Sequence, residues 1–316
     1  MTTYDNVTIV GAGLLGHALG LVHALGGCRV ILQDISKERL NWAEGRLPAL
    51  LDDLVEFGLI EKTSAEAALT RISTSHELDE AVAEADLIVE AVVEDAHVKQ
   101  ELYCRLEPLA GQNAVLASNT SFLDIFPLVP PALRARSLIV HWYTPPYLID
   151  LVDVVPSPVA DPEVATKMVG FLRGIGKKPV LLKKFVPGYI ANNIQMAIES
   201  EVFRLLDTGV ADIVDIDDAL RFGLSQRLSL MGQFKKIDYT GLQVVRDIHA
   251  TGLYTPPGKP TGTPKLDEKL ADGSSGVLAG SGFYDYGDTD AQELFKRRDS
   301  KLARLKLLMS EFEDDL

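Results

Sequence analysis

The chain has 316 residues, of which 47% are hydrophobic and 24% charged, so it is long enough for a sizeable core and for two domains. Its net charge of −14 argues against nucleic acid or an anionic membrane as a partner, because both would require basic patches. Its two cysteines, Cys28 and Cys104, lack the spacing of a zinc site or a disulfide framework, so we predict no metal and a cytoplasmic protein.

The first predicted elements are a strand, a glycine turn and a helix. Residues 7–10 are a β-branched run that ends at the G-x-G-x-x-G sequence of residues 11–16. Apolar residues then recur at helical spacing, and Gly26-Gly27 ends the helix. Histidines and glycines interrupt this apolar stretch and no basic segment precedes it, so we expect neither a signal peptide nor a membrane span. Residues 29–33 form the second predicted strand, which ends at Asp34.

This order of elements predicts a dinucleotide site. Gly11 permits the tight turn, Gly13 lets the backbone approach the phosphates, and Gly16 lets helix and strand pack closely. The helix N-terminus adds unpaired N–H groups and a positive dipole. Asp34 can accept both hydroxyls of the adenosine ribose and repels a 2′-phosphate, so we expect NAD and not NADP. The predicted cofactor contacts here are Gly11, Gly13, Leu14, Leu15, Gly16 and Asp34.

The following stretch alternates predicted helices and strands. Ser36 is the predicted N-cap of a helix over 37–57 that Gly58 ends, and Thr63-x-x-Glu66 is a capping-box pattern for the next helix. Strand-like runs follow at 71–74, 87–91, 114–117, 138–141, 151–155 and 179–182. The alternation is typical of an α/β Rossmann domain with a mostly parallel, doubly wound sheet.

The pattern changes near residue 186, because no convincing strand appears after it. The sequence therefore predicts a Rossmann domain over 1–186 and an all-α domain over 187–316. Pro187-Gly188 opens a long helical stretch to about Thr208. A Pro-, Gly-, Thr- and Ser-rich interval over 254–282 is either a mobile loop at a site or a long surface connection, and it precedes a charged helix at about 290–312.

His141 is the best candidate for a general base. A nicotinamide cofactor implies hydride transfer, and oxidation of an alcohol also requires a base for the hydroxyl proton. His141 ends the strand-like run 138–141, and Asp153 lies in the next one. If these strands pair as a hairpin, the carboxylate can fix the tautomer of the imidazole and stabilise its protonated form. The alternative is a structural histidine at a strand end.

Polar side chains follow the run 114–117, at the edge of the sheet where ligands bind in open α/β folds. The hydroxyls and the amide of Ser118-Asn119-Thr120-Ser121 can bind the reacting oxygen or the carboxamide of the cofactor; an N-cap cluster is the alternative. Asn192 and Asn193 lie early in the first helix of the second domain. Because adjacent side chains on a helix point in different directions, at most one of the two should face a substrate.

Taken together, these stretches resemble the 3-hydroxyacyl-CoA dehydrogenase superfamily over nearly the whole chain. The motifs that carry the resemblance are residues 11–16 with Asp34, then 90–94, 118–121, 141–155 and 187–192. The resemblance implies that His141 is the general base and that Asp153 stands where the family has a glutamate. It also implies that Ser121 and Asn192 contact the substrate and help to position His141.

The resemblance extends to the cofactor and to assembly. It implies that Glu94 and Lys99 contact NAD, beside the predicted contact by Asn119, and that the protein forms a homodimer through its helical domain. Asp153 is one methylene shorter than the family glutamate, so the dyad must close up or act through water. Thr144 replaces the asparagine of the family's H-x-x-N-P sequence, and Asn193 replaces an arginine.

The substrate prediction depends on one acidic segment. Where acyl-CoA enzymes present lysines to the CoA phosphates, residues 50–56 contain two aspartates and a glutamate, which repel a polyphosphate. The segment 143–147, the chain length and the long C-terminal helix look closer to the λ-crystallin/L-gulonate 3-dehydrogenase branch, which acts on small hydroxy acids without CoA. The sequence therefore favours a substrate that carries no CoA.

We predict an NAD-dependent oxidoreductase that interconverts a 3-hydroxy acid, or its derivative, and the 3-keto form. One alternative is an L-3-hydroxyacyl-CoA dehydrogenase proper, and another is a non-catalytic NAD-binding protein of the crystallin kind. The 6-phosphogluconate or 3-hydroxyisobutyrate dehydrogenase group is a further rival, but it uses a lysine before an Asn-Asn pair. Here the residues before Asn192 are Tyr189, Ile190 and Ala191.

Overall fold

The computed structural model describes residues 4–257 and 263–312. The chain forms two compact units, of which the first extends to Tyr189 and the second begins at Ile190. Strands and helices alternate in the first unit, whereas the named elements of the second are all helical. This confirms the predicted fold class, an α/β Rossmann domain followed by a helical domain.

The described residues of the first unit form one sheet of eight strands. The strands are β1 (Asn6–Val10), β2 (Arg29–Gln33), β3 (Ile72–Ser75), β4 (Leu87–Glu90), β5 (Val115–Ser118), β6 (Ser137–Trp142), β7 (Leu151–Pro156) and β8 (Lys178–Leu181). The helices are α1 (Gly16–Leu25), α2 (Lys37–Glu56), α3 (Lys62–Leu69), α4 (Leu78–Val82), α5 (Ala96–Leu106), α6 (Pro131–Arg134) and α7 (Pro162–Gly174).

The strand order is β3-β2-β1-β4-β5-β6-β7-β8. Strands β1 to β6 are parallel, β7 is antiparallel to β6, and β8 is parallel to β7. The carboxyl ends of β1, β4, β5 and β6 therefore lie at one edge of the sheet, and the order reverses between β1 and β4. In open α/β sheets, ligands bind at that edge beside the reversal.

The sequence of the central strands explains why they lie inside. All residues of β4 and β5 are buried, and so are four of the five residues of β1. Strands covered by helices on both faces have near-continuous apolar sequences, as in Leu87–Glu90 and Val115–Ser118. Only the polar ends of these strands, Glu90 and Ser118, depart from that composition, and both are fully buried.

The helix α2 begins as the sequence predicts, but α3 does not. Ser36 is the N-cap of α2, since its hydroxyl oxygen accepts the N–H of Arg39 at 3.2 Å. The capping-box prediction at Thr63 is wrong, because α3 already begins at Lys62 and Thr63 lies within it. The carbonyl of Glu61 accepts the first helical N–H groups, which makes that residue the N-cap.

The second unit contains six α-helices within the described residues. They are α8 (Ala191–Asp207), α9 (Ile213–Asp218), α10 (Gln226–Thr240), α11 (Leu242–Ala250), α12 (Pro264–Ala271) and α13 (Ala291–Ser310). A π-helical segment, Ala219–Ser225, joins α9 to α10, which is kinked at Gly232. Helix α8 begins later than the Pro187-Gly188 pair predicts, because Gly188 and Tyr189 both have the left-handed φ angles of 77° and 53°.

The Pro- and Gly-rich interval is not a simple loop. Residues 258–262 of it lie outside the described residues, but the remainder contains α12 and a 3₁₀ turn at Val277–Ala279. Pro264 occupies the first turn of α12, where a missing N–H costs nothing. The composition suggested a connection because prolines and glycines flank this short helix on both sides in the sequence.

The second unit exposes many apolar side chains. No described residue of α8, α9, α10, α11 or α12 is buried. The exposed apolar side chains include those of Phe234, Tyr239, Leu242, Ile248 and Leu253. No helix in the described part of the chain is long and apolar enough to cross a membrane.

Candidate active site

The glycine turn between β1 and α1 is closely packed on two sides. Gly11 has a φ angle of +102°, and a Cβ atom there would lie 2.6 Å from the carbonyl oxygen of Ala91. A Cβ on Gly16 would overlap the carbonyl oxygen of Gly11. Both positions therefore require glycine, as the predicted tight turn and close helix packing imply. Gly13 differs from both, because no atom lies within 4 Å of its potential Cβ.

The open side of this turn fits the pyrophosphate of a dinucleotide. Helix α1 has no side-chain cap and no acidic residue in its first turn, so its N–H groups and positive dipole are available to an anion. The space beside Gly13 lets such an anion approach the backbone. Leu14, with 83% of its surface exposed, and the half-buried Leu15 border this side of the turn. These features match the requirements of NAD.

Asp34 connects the end of β2 to the same turn. One carboxylate oxygen accepts the N–H of Ala12 and the other accepts the N–H of Ser36, both at 2.9 Å. Asp34 is 4% exposed, and Arg39 lies 4.0 Å from it. The two bonds fix the carboxylate at the carboxyl end of β2, where a ribose is bound in dinucleotide folds.

His141 and Asp153 form the predicted pair. The two residues are direct partners in the antiparallel β6–β7 ladder, which confirms the expected hairpin. The Nδ1 atom of His141 lies 3.6 Å from Oδ2 of Asp153, and both side chains are almost completely buried. The separation exceeds that of a direct hydrogen bond, as the shorter aspartate implies.

Ser121 contacts the other side of the imidazole. Its Oγ atom lies 3.2 Å from Nε2 of His141, so Nδ1 faces the acid and Nε2 faces a hydroxyl group. A base with this arrangement can take a proton at Nε2 while Asp153 stabilises the positive charge. The geometry therefore brings together Ser121, His141 and Asp153, three of the four predicted catalytic residues.

Glu94 holds the backbone next to Ser121. Its Oε1 atom accepts the hydroxyl of Thr120 at 2.7 Å and the N–H groups of Ser121 and Phe122 at 2.8 Å and 3.0 Å. Partial burial raises the pKa of Glu94, but the Phe122 N–H, the Thr120 hydroxyl and Lys99 outweigh burial and leave the pKa below its usual value. Glu94 is therefore held ionised, and it fixes the turn that carries Ser121.

Lys99 belongs to a buried polar cluster centred on Glu90. Glu90 accepts hydrogen bonds from Lys99 Nζ at 2.6 Å, Tyr103 at 2.7 Å and Ser118 at 2.6 Å. Lys99 also lies 3.3 Å from Glu94, and burial raises the pKa of Tyr103 above its ordinary value. Because the lysine is 1% exposed, its contacts in this structure are with the two glutamates. The cluster joins α5 to the ends of β4 and β5.

Two tyrosines beside His141 were not predicted from the sequence. The ring centroid of Tyr143 lies 4.6 Å from that of His141, edge to face, and the ring of Tyr189 lies 4.8 Å away. The hydroxyl of Tyr189 donates to the carbonyl of Thr120 at 2.5 Å, and burial raises the pKa of Tyr189 far above its ordinary value. Strand alternation could have indicated Tyr143, which is two residues after His141; the contact of Tyr189 is long-range and left no local pattern.

The remaining predicted residues have varied positions. The half-buried Asn119 uses its Oδ1 atom to accept the N–H of Trp142 at 2.8 Å, which ties β5 to β6. Asn192 is half-buried and Asn193 is exposed, both on the first turn of α8 in the second unit. Thr144 is exposed at the start of the loop that joins β6 to β7.

That β6–β7 loop is held by a buried lysine. The Nζ atom of Lys177 donates to the carbonyl of Pro146 at 2.7 Å and to the carboxylate of Asp150 at 3.0 Å. It also lies 3.3 Å from the carbonyl of Ile149. Lys177 is 5% exposed, so these oxygens replace its hydration. The loop immediately after His141 and Trp142 therefore has a fixed inner side.

The acidic segment predicted to disfavour CoA is on the surface. Asp52 and Glu56 in α2 are exposed and Asp53 is half-buried, whereas the leucines of the same helix are buried. No group of three or more His, Cys, Asp or Glu side chains in the described residues is arranged to hold a metal ion.

Known proteins are similar to this chain over both units. The family model described as 3-hydroxyacyl-CoA dehydrogenase, NAD binding domain, matches residues 6–185, and the model for its C-terminal domain matches 188–286. The mitochondrial hydroxyacyl-coenzyme A dehydrogenase of Sus scrofa is 33% identical over 89% of this chain and 91% of its own length. The lambda-crystallin of Oryctolagus cuniculus is 33% identical over 72% of each chain.

A solved structure is similar along almost the whole chain. It is that of 5-formyl-3-hydroxy-2-methylpyridine 4-carboxylic acid 5-dehydrogenase, described as an NAD+ dependent dismutase. It is 25% identical, covers 98% of this chain and 99% of its own, and superposes with a TM-score of 0.88.

Proposed function

The chain belongs to the 3-hydroxyacyl-CoA dehydrogenase family and is therefore an NAD-dependent oxidoreductase. We propose that it oxidises a 3-hydroxy acid to the 3-keto form, with NAD as the oxidant and His141 as the general base that takes the hydroxyl proton. The observation that carries this assignment is the position of His141 between Asp153, 3.6 Å from Nδ1, and Ser121, 3.2 Å from Nε2. A buried histidine with an acid on one nitrogen and an alcohol on the other is suited to proton transfer.

The proton movement follows from this arrangement. Bound NAD supplies the hydride acceptor. As the substrate C–H gives up its hydride, the substrate hydroxyl gives its proton to Nε2 of His141, and the C–O bond becomes a carbonyl. His141 then carries the positive charge, which the buried carboxylate of Asp153 stabilises. In the reduction direction, the imidazolium returns the same proton to the carbonyl oxygen.

Ser121 and Asn192 are the proposed substrate contacts. The Ser121 hydroxyl can hold the reacting oxygen near Nε2, because Glu94 fixes the turn that carries it. For Asn192 the proposal rests on the family resemblance and on its place in the first turn of α8. A variant such as Asn192→Asp should raise the KM and lower the kcat for the hydroxy acid while leaving NADH affinity unchanged.

The proposed cofactor contacts divide into two groups. Gly11, Gly13, Leu14, Leu15, Gly16 and Asp34 surround the open side of the first turn, and their geometry supports a role in holding the pyrophosphate and ribose. Glu94, Lys99 and Asn119 were expected to contact the cofactor, and that expectation stays a prediction. Their observed contacts support a structural role: Glu94 and Lys99 hold the turn that carries Ser121, and Asn119 holds the end of β6.

The proposed substrate is a small hydroxy acid without CoA. The exposed acidic groups of α2 support this, since they would repel the phosphates of CoA. The solved structure with the TM-score of 0.88 points the same way, because that enzyme is named for a pyridine carboxylic acid. The competing candidate is a CoA thioester, which the 33% identity to the hydroxyacyl-coenzyme A dehydrogenase favours.

A substrate panel tests this proposal. NADH oxidation with acetoacetyl-CoA is compared with NAD reduction by free 3-hydroxy acids, sugar acids such as L-gulonate, and an aromatic hydroxy acid. Turnover of the free acids alone supports the proposal, and robust turnover of the thioester contradicts it. The double variant Asp52→Lys/Glu56→Lys should increase kcat/KM for acetoacetyl-CoA more than for a free acid. Absence of turnover with every compound favours the non-catalytic, crystallin-like alternative.

We also propose that the protein is a cytoplasmic homodimer that pairs through its second unit. The apolar side chains on α10 and α11, among them those of Phe234 and Ile248, support pairing because solvent exposure of so many is unfavourable. Sedimentation equilibrium should give twice the mass of the 34.5 kDa chain, and Phe234→Glu should reduce it to the single mass. Recovery of the protein in the cytoplasmic fraction of its source cells tests the location.

A further inference from the structure

Tyr143 makes a contact with the dyad that the general-base proposal does not use. Its hydroxyl donates a hydrogen bond of 2.6 Å to Oδ2 of Asp153. The same oxygen is the one that lies 3.6 Å from Nδ1 of His141. The ring of Tyr143 also packs edge to face on the imidazole, with an interplanar angle of 79°. A single side chain thus contacts both members of the dyad.

The carboxylate of Asp153 has few other donors. Asp153 is completely buried, and its Oδ1 atom has no hydrogen-bond partner among the described residues. The Nδ1 atom of His141 likewise has no partner within hydrogen-bond distance in the described part of the chain. A buried carboxylate is costly unless donors satisfy it, so the phenol of Tyr143 contributes much of what keeps this acid in place.

We propose that Tyr143 is a positioning residue of the dyad, which fixes the short acid Asp153 at its distance from His141 and shares the carboxylate's charge with it. The inference rests on the proposed function of His141 as the base. It also fits the distances around this acid: Oδ2 of Asp153 lies 3.6 Å from Nδ1, beyond a direct hydrogen bond, and the tyrosine hydroxyl donates to that same oxygen at 2.6 Å.

Sharing the carboxylate has a predictable sign. A hydroxyl that donates to Oδ2 disperses its negative charge, so the acid attracts the imidazolium less strongly. In Tyr143→Phe, Oδ2 loses its donor and can turn to the Nδ1–H of His141. The imidazolium then becomes more stable, and His141 keeps its proton to a higher pH. The low-pH limb of kcat/KM should therefore move upward, by roughly one pH unit.

Other polar and titratable groups near His141 could also affect the pH profile. Tyr189, at the end of the first unit, packs on the imidazole and is influenced electrostatically by Glu94, Asp153, Tyr143 and Asp124. Ser121 contributes a neutral hydroxyl on the Nε2 side. Tyr143→Phe substitutes none of the groups other than Tyr143, so the dependence of the shift on Asp153 identifies the contact of the Tyr143 hydroxyl with that acid.

The test is a double-mutant cycle with Tyr143→Phe, Asp153→Asn and the double variant. Each protein is studied in two ways: the pH dependence of kcat/KM with the best free hydroxy acid of the panel, and the pH titration of the His141 imidazole by NMR without substrate. His141→Gln assigns the resonance. Tyr4→Phe is the matched control, because Tyr4 is buried in the same unit and packs on Phe171. Binding of NADH confirms that each variant is folded.

The proposal expects an upward shift for Tyr143→Phe, no shift for Tyr4→Phe, and identical profiles for Asp153→Asn with and without Tyr143→Phe. An unchanged or downward-shifted profile in Tyr143→Phe overturns it, and so does an equal shift when Asp153 is already asparagine. Failure of the proposed function gives a different result, namely full turnover in His141→Gln. The imidazole titration still reports on the contact of Tyr143 with the pair in that case.

Discussion

Asp153 lies directly opposite His141 in the β6–β7 hairpin, and its Oδ2 atom is 3.6 Å from Nδ1 of the histidine. The pair is built on two adjacent strands of a buried sheet, so backbone hydrogen bonds fix the separation of the two residues. Side chains on strands and helices are held more precisely than side chains on loops.

Replacing His141 should separate chemistry from cofactor binding. We expect His141→Ala to lower kcat about 100- to 10,000-fold, the range by which general-base catalysis accelerates reactions. NADH affinity should stay the same, because the glycine turn and Asp34 are untouched. Steady-state kinetics and fluorescence titration with NADH measure the two effects. The exposed His97 on α5 provides the control variant His97→Ala. An equal loss of NADH affinity in His141→Ala would argue against the assignment.

Two glycines of the same turn should respond differently to alanine. At Gly13 no atom lies within 4 Å of the new methyl group, so Gly13→Ala should fold normally but fill the space beside the phosphates and weaken NADH binding. At Gly16 the methyl group overlaps the carbonyl of Gly11, so Gly16→Ala should lower the melting temperature. Thermal unfolding measures the melting temperature of both variants, and titration with NADH measures their cofactor affinity. Unchanged NADH affinity in Gly13→Ala would be inconsistent with the proposed pyrophosphate site.

Glu94 should make a pH-dependent contribution to stability. Its pKa in the folded protein lies below the usual 4.5, since hydrogen bonds to the ionised form outweigh partial burial. A depressed pKa contributes stability above the unfolded-state value, and the contribution is lost as the pH falls through the folded-state value. The stability difference between the protein and Glu94→Gln should therefore be largest near neutral pH and shrink below about 4.5.

Urea unfolding at several pH values between 3.5 and 7 measures this difference. The exposed Glu56→Gln on α2 is the matched control for the loss of one carboxylate. A stability difference that stays constant across this pH range would mean that the bonds to Thr120, Ser121 and Phe122 do not depend on the charge of Glu94.

Lys177 should contribute to the free energy of unfolding. Lys177→Met removes the ammonium group that donates to the buried carbonyl of Pro146 and to the carboxylate of Asp150, so the carbonyl loses this hydrogen bond inside the protein. We expect a loss of about 1–3 kcal/mol in the free energy of unfolding. Chemical denaturation measures it, with the exposed Lys183→Met as control. Equal stability of the two variants would refute the role of Lys177 in fixing the β6–β7 loop.

The sequence predicts well where a local pattern decides the structure. The β1-α1-β2 segment follows from apolar spacing and the glycines, and the hairpin that pairs His141 with Asp153 follows from two neighbouring strand patterns. The first residue of a helix is harder to predict, because several neighbouring residues can serve as the N-cap. Thr63 resembles an N-cap, but the carbonyl of Glu61 accepts the first N–H groups; Pro187 resembles a helix start, but Tyr189 is left-handed and delays α8 to Ala191.

Contacts between distant parts of the chain left no such pattern. The cofactor contact of Glu94 stays a prediction, and the sequence did not indicate that its Oε1 atom accepts the N–H groups of residues more than twenty positions away, which only the folded sheet brings together. Tyr189 packs on His141 for the same reason. The acceptor choices of buried groups depend on three-dimensional distances, which propensities and periodicities do not encode.

The exposed carboxylates of α2 have a kinetic consequence. An acidic substrate approaches a protein with a net charge of −14, and long-range repulsion slows its diffusional encounter. Added salt shortens the Debye length, which is about 8 Å at physiological ionic strength, and screens that repulsion. The bimolecular association rate of an anionic substrate should therefore rise with ionic strength, opposite to the behaviour of enzymes that attract their substrates electrostatically.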